Sequence, residues 1–402
     1  MKTFNTVGCC IPDRHYMVNI DDKLKKIKNL VDGGYYFAIN RARQYGKTTT
    51  LGILAERLKD EYVVISLDFQ MMSDYDFRDE ATFVSSFAEM FLAEATMPDN
   101  MLAELRGAEE SGMITGLRKL FIYLSNLCEK SDKPVVLMID EVDSATNNQV
   151  FLDFLAQLRA YYLARNTKPT FQSVILAGVY DIKNLKLKLR AEEEHKYNSP
   201  WNIAASFDVD MSFSPAAIAG MLQDYEHDYH TGMDVDAVAA CIYEYTSGYP
   251  FLVSNVCKTI DTMGTEKERL QSGKPVWSKY GVAEAVKRIL KEQSTLFDSL
   301  NKYLNEYKEL RDMLKNMLFQ GDSFSYTLYN ESINLGIMFG YLKEKDGSVA
   351  VANRIFEMWI YNLFLSEDEW KKKGRLNTWH WFRKEDTQLR IFTTCRMENG
   401  RS

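Results

Sequence analysis

The sequence predicts an α/β protein: a parallel sheet covered on both faces by helices, followed by an α-helical domain and a winged-helix-like domain. Three observations carry this reading. Short apolar runs alternate with amphipathic stretches through the first half of the chain, which is the rhythm of βαβ units. Two of those runs end in polar motifs rather than ordinary turns: Arg41-Ala42-Arg43-Gln44-Tyr45-Gly46-Lys47-Thr48 after the first, and Asp140-Glu141 after a later one. From about residue 214 the strand-like runs give way to helical spacing.

Residues 1–34 read as a lead-in. Ile20 to Val31 carries the spacing of one short amphipathic helix, and Gly33-Gly34 breaks it. The core is expected over 35–213. It opens with the strand Tyr36-Phe37-Ala38-Ile39, the loop, and a helix from Thr48 to Leu58. Tyr62 to Phe69 is a second strand candidate, and 78–105 and 115–128 read as helices. The five apolar residues Val135 to Ile139 fit a strand buried on both faces of a parallel sheet. A helix over roughly 148–165 and the strand Ser173 to Gly178 follow.

Residues 214–295 read as a helical lid domain. Ser214 is a good N-cap and Pro215 suits the first helical position. Val235, Val238, Ala239 and Ile242 mark one face of a second helix, with Gly248 and Pro250 as its stop signals. Further helices are expected at 251–262 and 281–293. Residues 296–365 have a winged-helix layout: helices at 303–319 and 327–338, then Phe339 to Leu342, a turn at Asp346-Gly347, and Val349 to Val351. Residues 366–402 read as a loosely ordered basic tail. From 371 on they hold nine Lys/Arg against three Asp/Glu, and Trp379, His380 and Trp381 could touch nucleic acid.

A chain of 402 residues has room for two or three domains. Hydrophobic content of 46% and charged content of 26% are those of a globular protein. Its apolar stretches are shorter than the ~20 residues of a spanning helix, and Met1 to Asn5 opens no apolar leader. The expected location is therefore cytoplasmic, with no membrane partner. A net charge of −7 argues against a general nucleic-acid binder while leaving room for a local basic patch. The six cysteines, Cys9, Cys10, Cys128, Cys241, Cys257 and Cys395, suggest neither a disulfide framework nor a zinc knuckle. His227 and His230 with Asp224 and Asp228 have metal-like spacing, but no further ligand is fixed, and they read as surface.

Strand, tight loop ending in Gly-Lys-Thr, then helix is the layout of a phosphate-binding loop, and hence of a P-loop NTPase sheet. A triphosphate needs backbone N–H donors, which a helix N-terminus offers with a favourable dipole. Arg43, Gln44, Tyr45, Gly46, Lys47, Thr48 and Thr49 are the expected phosphate contacts. Gly46 lets the backbone approach, Lys47 brings a cation to the β- and γ-phosphates, and the Thr48 hydroxyl binds Mg²⁺. The usual pattern starts with a glycine; here that position is Arg41. Asp140 and Glu141 lie at the C-terminal edge of a buried strand, where ligands bind in open α/β sheets. Asp140 is expected to hold Mg²⁺ through water, and Glu141 to polarise the attacking water.

Together the motifs resemble the prokaryotic AAA-like ATPases related to the archaeal ATPase and STAND groups. The run Phe37 to Thr50 is similar to that family's loop, in which Arg often replaces the first glycine, as Arg41 does here. Ile139-Asp140-Glu141 and Leu176 to Asp181 match further, and Asn353-Arg354-Ile355-Phe356-Glu357 resembles the end of the family's winged-helix region. Thr246 to Phe251 is similar to its Gly-x-Pro element, so the resemblance implies that Gly248 and Pro250 help close the nucleotide pocket. It also implies ATP rather than GTP as ligand. Many relatives carry a restriction-like nuclease domain beyond this point. The residues after 365 read as too few for one and offer no nuclease constellation, so nuclease activity is not expected from them.

The expected function is thus ATP binding with Mg²⁺-dependent hydrolysis to ADP and phosphate, acting as a conformational switch. Asp181 could sense the γ-phosphate or cap a turn, and Arg190, in the basic run Lys183, Lys186, Lys188, Arg190, could act as a finger or sit on a solvated face. A protein partner or self-association is expected through the helical and winged-helix regions. The alternatives are a nucleotide-gated interaction module with negligible hydrolysis, and a winged-helix DNA-associated regulator. The segment Thr327 to Asn334 has no Lys or Arg to anchor phosphate, which weighs against the last.

Overall fold

A computed structural model of the chain describes residues 2–179, 201–265 and 275–372. These divide into two compact units. One is formed by the described residues of Met1–Phe213 with Asn334–Gly340, the other by those of Ser214–Ile333 and Tyr341–Ser402.

In the first unit, α1 (Asp21–Asp32) leads to β1 (Phe37–Asn40) and α2 (Lys47–Leu58). Then come β2 (Val63–Asp68), α3 (Glu80–Glu94), α4 (Asp99–Glu110), α5 (Leu117–Lys130), β3 (Val135–Asp140), α6 (Gln149–Leu163) and β4 (Ser173–Gly178). The four strands make one parallel sheet in the order β1-β4-β3-β2. β4, last in sequence, therefore lies between β1 and β3.

The apolar runs that predicted the strands divide between two cores. Val135, Leu137 and Ile139 of β3 face one way, with Val174 and Leu176 of β4, onto α3 to α6. Val136, Met138, Ile175 and Ala177 face the other way, onto α1 and α2 through Leu24, Ile27, Leu51 and Leu54. This alternation within an unbroken apolar run is what a sheet covered on both faces requires. The first core is rich in phenylalanine: Phe69, Phe83, Phe87, Phe121, Phe151 and Phe154 are all buried. Phe154 packs against Phe83 at 5.5 Å, Phe87 at 5.0 Å and Phe121 at 5.5 Å between ring centroids.

The second unit comprises α7 (Pro215–Tyr229), α8 (Val235–Thr246), α9 (Pro250–Thr265), α10 (Lys279–Ile289), α11 (Thr295–Glu306) and α12 (Lys308–Phe319). α13 (Glu331–Met338) follows, its residues divided between the units, and then β5 (Leu342–Lys345), β6 (Ser348–Val351) and α14 (Arg354–Lys372). β5 and β6 form an antiparallel hairpin, with Asp346 and Gly347 at positive φ in its turn. Ser214 caps α7, its hydroxyl accepting the Ala217 N–H at 3.2 Å, with Pro215 in the first turn.

Three expectations are corrected. The helix expected over 78–105 is two helices, because Pro98 stands between α3 and α4 with extended backbone. The helix expected over 303–319 is also two, parted at Tyr307, which carries φ −107° and ψ 85° and closes α11 while opening α12. No Gly or Pro marks that break. The stop expected at Gly248 and Pro250 is where α8 ends, at Thr246, and α9 opens at Pro250, one residue before the helix expected from 251. The helix expected over 327–338 begins only at Glu331, where the Asn330 side chain accepts the Ile333 N–H at 3.1 Å. Among the described residues no helix is long and apolar enough to cross a membrane.

Phe154→Ala should open a cavity among these rings and lower stability by about 3–5 kcal/mol. Phe154 is buried and Leu163, at the end of the same helix, is 59% exposed. Urea unfolding should therefore show a large loss for Phe154→Ala and little for Leu163→Ala.

Candidate functional site

The sheet order assembles a site at the C-terminal ends of β1, β4 and β3. The loop after β1 enters α2 through Gly46, which caps the helix at φ 80°, and Gln44 also lies at positive φ, 57°. A side chain at Gly46 would be strained there. The turn aims Lys47 inward. Its Nζ donates to the carbonyl oxygens of Arg41 at 3.0 Å and Ala42 at 3.2 Å, and the residue is only 6% exposed. Burial pulls the ammonium below the ordinary lysine range, and the charges of Asp143, Glu141 and Asp140 oppose that pull.

Thr48, next along α2, donates from Oγ1 to Asp140 Oδ2 at 2.6 Å, although the two residues are 92 apart in sequence. Asp140 is buried, and its Oδ1 accepts the backbone N–H of Glu141 at 2.9 Å. Glu141 turns out of the strand in the left-handed region, φ 51°. Burial raises its carboxyl above the ordinary range; Lys47 draws it back down, while Asp140 and Asp143 raise it further. Arg43 is exposed, and its charge acts on both Lys47 and Glu141. Tyr45 is partly buried and acts on the Arg41 guanidinium. Thr49 is turned to the N-terminal segment, its hydroxyl oxygen accepting the Cys10 N–H at 3.0 Å.

Two contributors carried no assigned role in the sequence. Asp143 Oδ2 accepts the Val179 N–H at 2.7 Å, and this is the carboxylate that acts most strongly on Lys47. Its spacing, three beyond Asp140, was the available signal. Gly178 ends β4 against it: a Cβ there would lie 2.8 Å from Asp143 Oδ1 and 2.9 Å from Val142 Cγ2. A side chain there would force the Asp143 carboxylate or Val142 to shift. Arg41 answers for the missing loop glycine. Its side chain leaves the loop and donates from Nη2 to the Val209 carbonyl at 2.8 Å.

Gly248 and Pro250 belong to the second unit. Gly248, at φ 73°, donates its N–H to Thr246 Oγ1 at 3.2 Å, and Pro250 opens α9. Asp181, Lys183, Lys186, Lys188 and Arg190 lie outside the described residues, as do Trp379, His380 and Trp381. His227 and His230 stand with ring centroids 6.4 Å apart, and among the described residues no cluster of His, Cys, Asp or Glu is arranged to hold a metal by itself.

The chain belongs to the AAA-like domain family, which matches residues 13–320. It is similar in fold to the Walker-type ATPase paby2304 of Pyrococcus abyssi, with a TM-score of 0.61 and 12% identity over 89% of this chain and 99% of that one. Lower similarity connects it to the ORC2 protein of Aeropyrum pernix in its ADPNP–ADP complexes, with a TM-score of 0.47 and 12% identity over 87% of this chain and 93% of that one. The Thermotoga maritima RuvB Holliday junction branch migration motor matches with a TM-score of 0.42 and 12% identity over 89% of this chain and 98% of that one. No curated protein matches the sequence.

The raised Glu141 carboxyl makes a stability prediction. The folded state holds this proton more tightly than the unfolded chain does, so ionisation opposes folding once pH rises above the ordinary value of 4.5. Glu141→Gln should therefore melt higher than the wild type near pH 7.5. The gap should close as pH falls through that value. A gap of equal size at pH 4 would contradict the burial argument.

Proposed function

We propose that this protein binds ATP and hydrolyses it to ADP and phosphate with Mg²⁺, using the reaction as a conformational switch. The observation that carries the reading is the Thr48–Asp140 hydrogen bond at 2.6 Å beside buried Lys47. It joins the end of a phosphate loop to the acidic end of β3, and both oxygens are hard donors of the kind Mg²⁺ takes. The residues fit that ion, and Thr48 and Asp140 would hold it. When bound, Mg²⁺ neutralises developing charge on the phosphates.

The rest of the chemistry falls to the chain itself. The loop with Arg43, Gln44, Tyr45, Gly46 and Thr49 would cradle the phosphates at the N-terminus of α2. Lys47, already held by two carbonyls, would pass its ammonium to the β- and γ-oxygens. Glu141, whose raised carboxyl gives it basic strength, would orient the attacking water and take its proton. For Gly248 and Pro250, in the second unit, a part in nucleotide binding is what the family resemblance implies. Membership in an AAA-like family and the fold likeness to a Walker-type ATPase support this assignment.

For the output we favour a protein partner or self-association through the lid domain, 214–295, and the winged-helix-like domain, 296–365. α13 has no Lys or Arg, so contact with DNA through that helix has little to support it.

Purified wild type with Mg²⁺ should hydrolyse ATP. Lys47→Ala should lose nucleotide binding. Glu141→Gln should bind while turning over about 100-fold to 10,000-fold slower, the range for loss of a general base. Wild type that binds ATP without turning it over would favour a nucleotide-gated interaction module instead. Wild type that binds no nucleotide would end the ATP reading.

A further inference from the structure

Arg41 stands where a phosphate loop ordinarily begins with glycine, and its side chain has partners outside the loop. Nη2 donates to the carbonyl oxygens of Val209 at 2.8 Å and Phe207 at 3.4 Å, and Nη1 to that of Asn40 at 2.8 Å. The guanidinium also lies 5.1 Å over the Phe207 ring. Asn40 is the last residue of β1, whereas Phe207 and Val209 belong to a segment that runs beside β1 on the edge away from β4. Phe37 forms a parallel bridge with Ala205, the Ala205 N–H donates to the Tyr36 carbonyl at 2.8 Å, and the Phe37 and Phe207 rings stack at 5.9 Å. At the level of Phe207 and Val209 the Arg41 side chain supplies the donors that a longer β1 ladder would have supplied. The segment ends at Phe213, and Ser214 opens the second unit.

The main chain of the same residue belongs to the loop. Its carbonyl accepts Lys47 Nζ at 3.0 Å and its N–H donates to the Gly178 carbonyl at 3.1 Å. A phosphate that draws on the Lys47 ammonium changes the bonding of the Arg41 peptide. A planar guanidinium, held by three carbonyls and stacked on a ring, is a stiff connection through which that change reaches Phe207 and Val209.

We propose that Arg41 is a positioning residue that couples the phosphate loop to residues 205–213, so that nucleotide held in the loop is felt in the chain leading to the second unit. The proposal rests on the ATP reading above. It gives a physical use to the departure from the usual loop pattern: a glycine at this position could hold the loop but could not reach the segment.

The test is hydrogen exchange on the full chain with and without Mg²⁺ and a slowly hydrolysed ATP analogue, ATPγS, with equilibrium binding on the same samples. Nucleotide should slow exchange across 205–211 by about fivefold or more, the low end of coupling between sites. Arg41→Met should abolish that difference. Arg41→Lys should restore only part of it, because an ammonium cannot replace the planar fork. Phe207→Ala provides a second arm should Arg41→Met fold poorly; it leaves the loop and the main-chain carbonyls intact but removes the ring under the guanidinium, so nucleotide should bind as before while the difference is reduced. Wild type that binds ATPγS with unchanged exchange in 205–211 would overturn the coupling alone, as would an undiminished difference in Phe207→Ala. Wild type that binds no ATPγS would overturn the ATP reading and the coupling with it.

Discussion

The site is organised around a buried positive charge. Lys47 is 6% exposed, and an ammonium taken from water costs several kcal/mol unless it is hydrogen-bonded and faced by opposite charge. Two loop carbonyls meet the first need and three carboxylates the second. Each demand shapes the chain around it. The carbonyls of Arg41 and Ala42 converge only because the loop doubles back through left-handed backbone at Gln44 and Gly46. The carboxylates arrive from β3, which the sheet keeps one strand away from β1. That spacing places the end of β4 between loop and acids, and it is tied on both sides: Gly178 accepts from Arg41 and Val179 donates to Asp143.

The elements that bear on this charge were the readable ones. Val135 to Ile139 announced a doubly buried strand because a parallel sheet covered on both faces leaves no polar side to interrupt it. Gly46-Lys47-Thr48 and Asp140-Glu141 could be paired from sequence because their chemistry is mutually dependent. Their actual meeting, Thr48 to Asp140, depends on sheet order, which local pattern does not encode. Asp143 shows where such reading stops. It was visible as a third acid, but its task is to accept the Val179 N–H and to act on Lys47. Those partners come together only once β4 has inserted beside β3.

Helix boundaries failed for a related reason. Pro98 was a visible breaker between α3 and α4, yet the apolar spacing continues across it because both helices feed the same phenylalanine-rich core. Tyr307 offers no breaker, so the division of α11 from α12 reflects tertiary packing over local propensity. In the second unit, Ser247 and Gly248 both take left-handed backbone and Thr246 is fully buried. The Ser247 hydroxyl receives Lys343 Nζ from β5 at 3.0 Å. Gly248 and Pro250 read as punctuation, and they do part α8 from α9. What the sequence did not show is that the bend between them is anchored to the hairpin.

Arg41 makes the most general point about departures from a motif. A first glycine is ordinarily useful because it adds no bulk near the phosphates. A side chain is compatible with that requirement if it leaves the loop, and this one does so toward carbonyls on the far edge of β1. Burial lowers the guanidinium from its ordinary range, while the nearby acids Asp210 and Asp208 oppose that pull. Taking this cation out of water therefore has a cost, which the carbonyls and the Phe207 face offset. A glycine would avoid the cost but leave the Phe207 and Val209 carbonyls without the donors they have here. The substitution thus exchanges freedom in the loop for a fixed connection at the edge of the sheet, beside the chain that leads to Ser214.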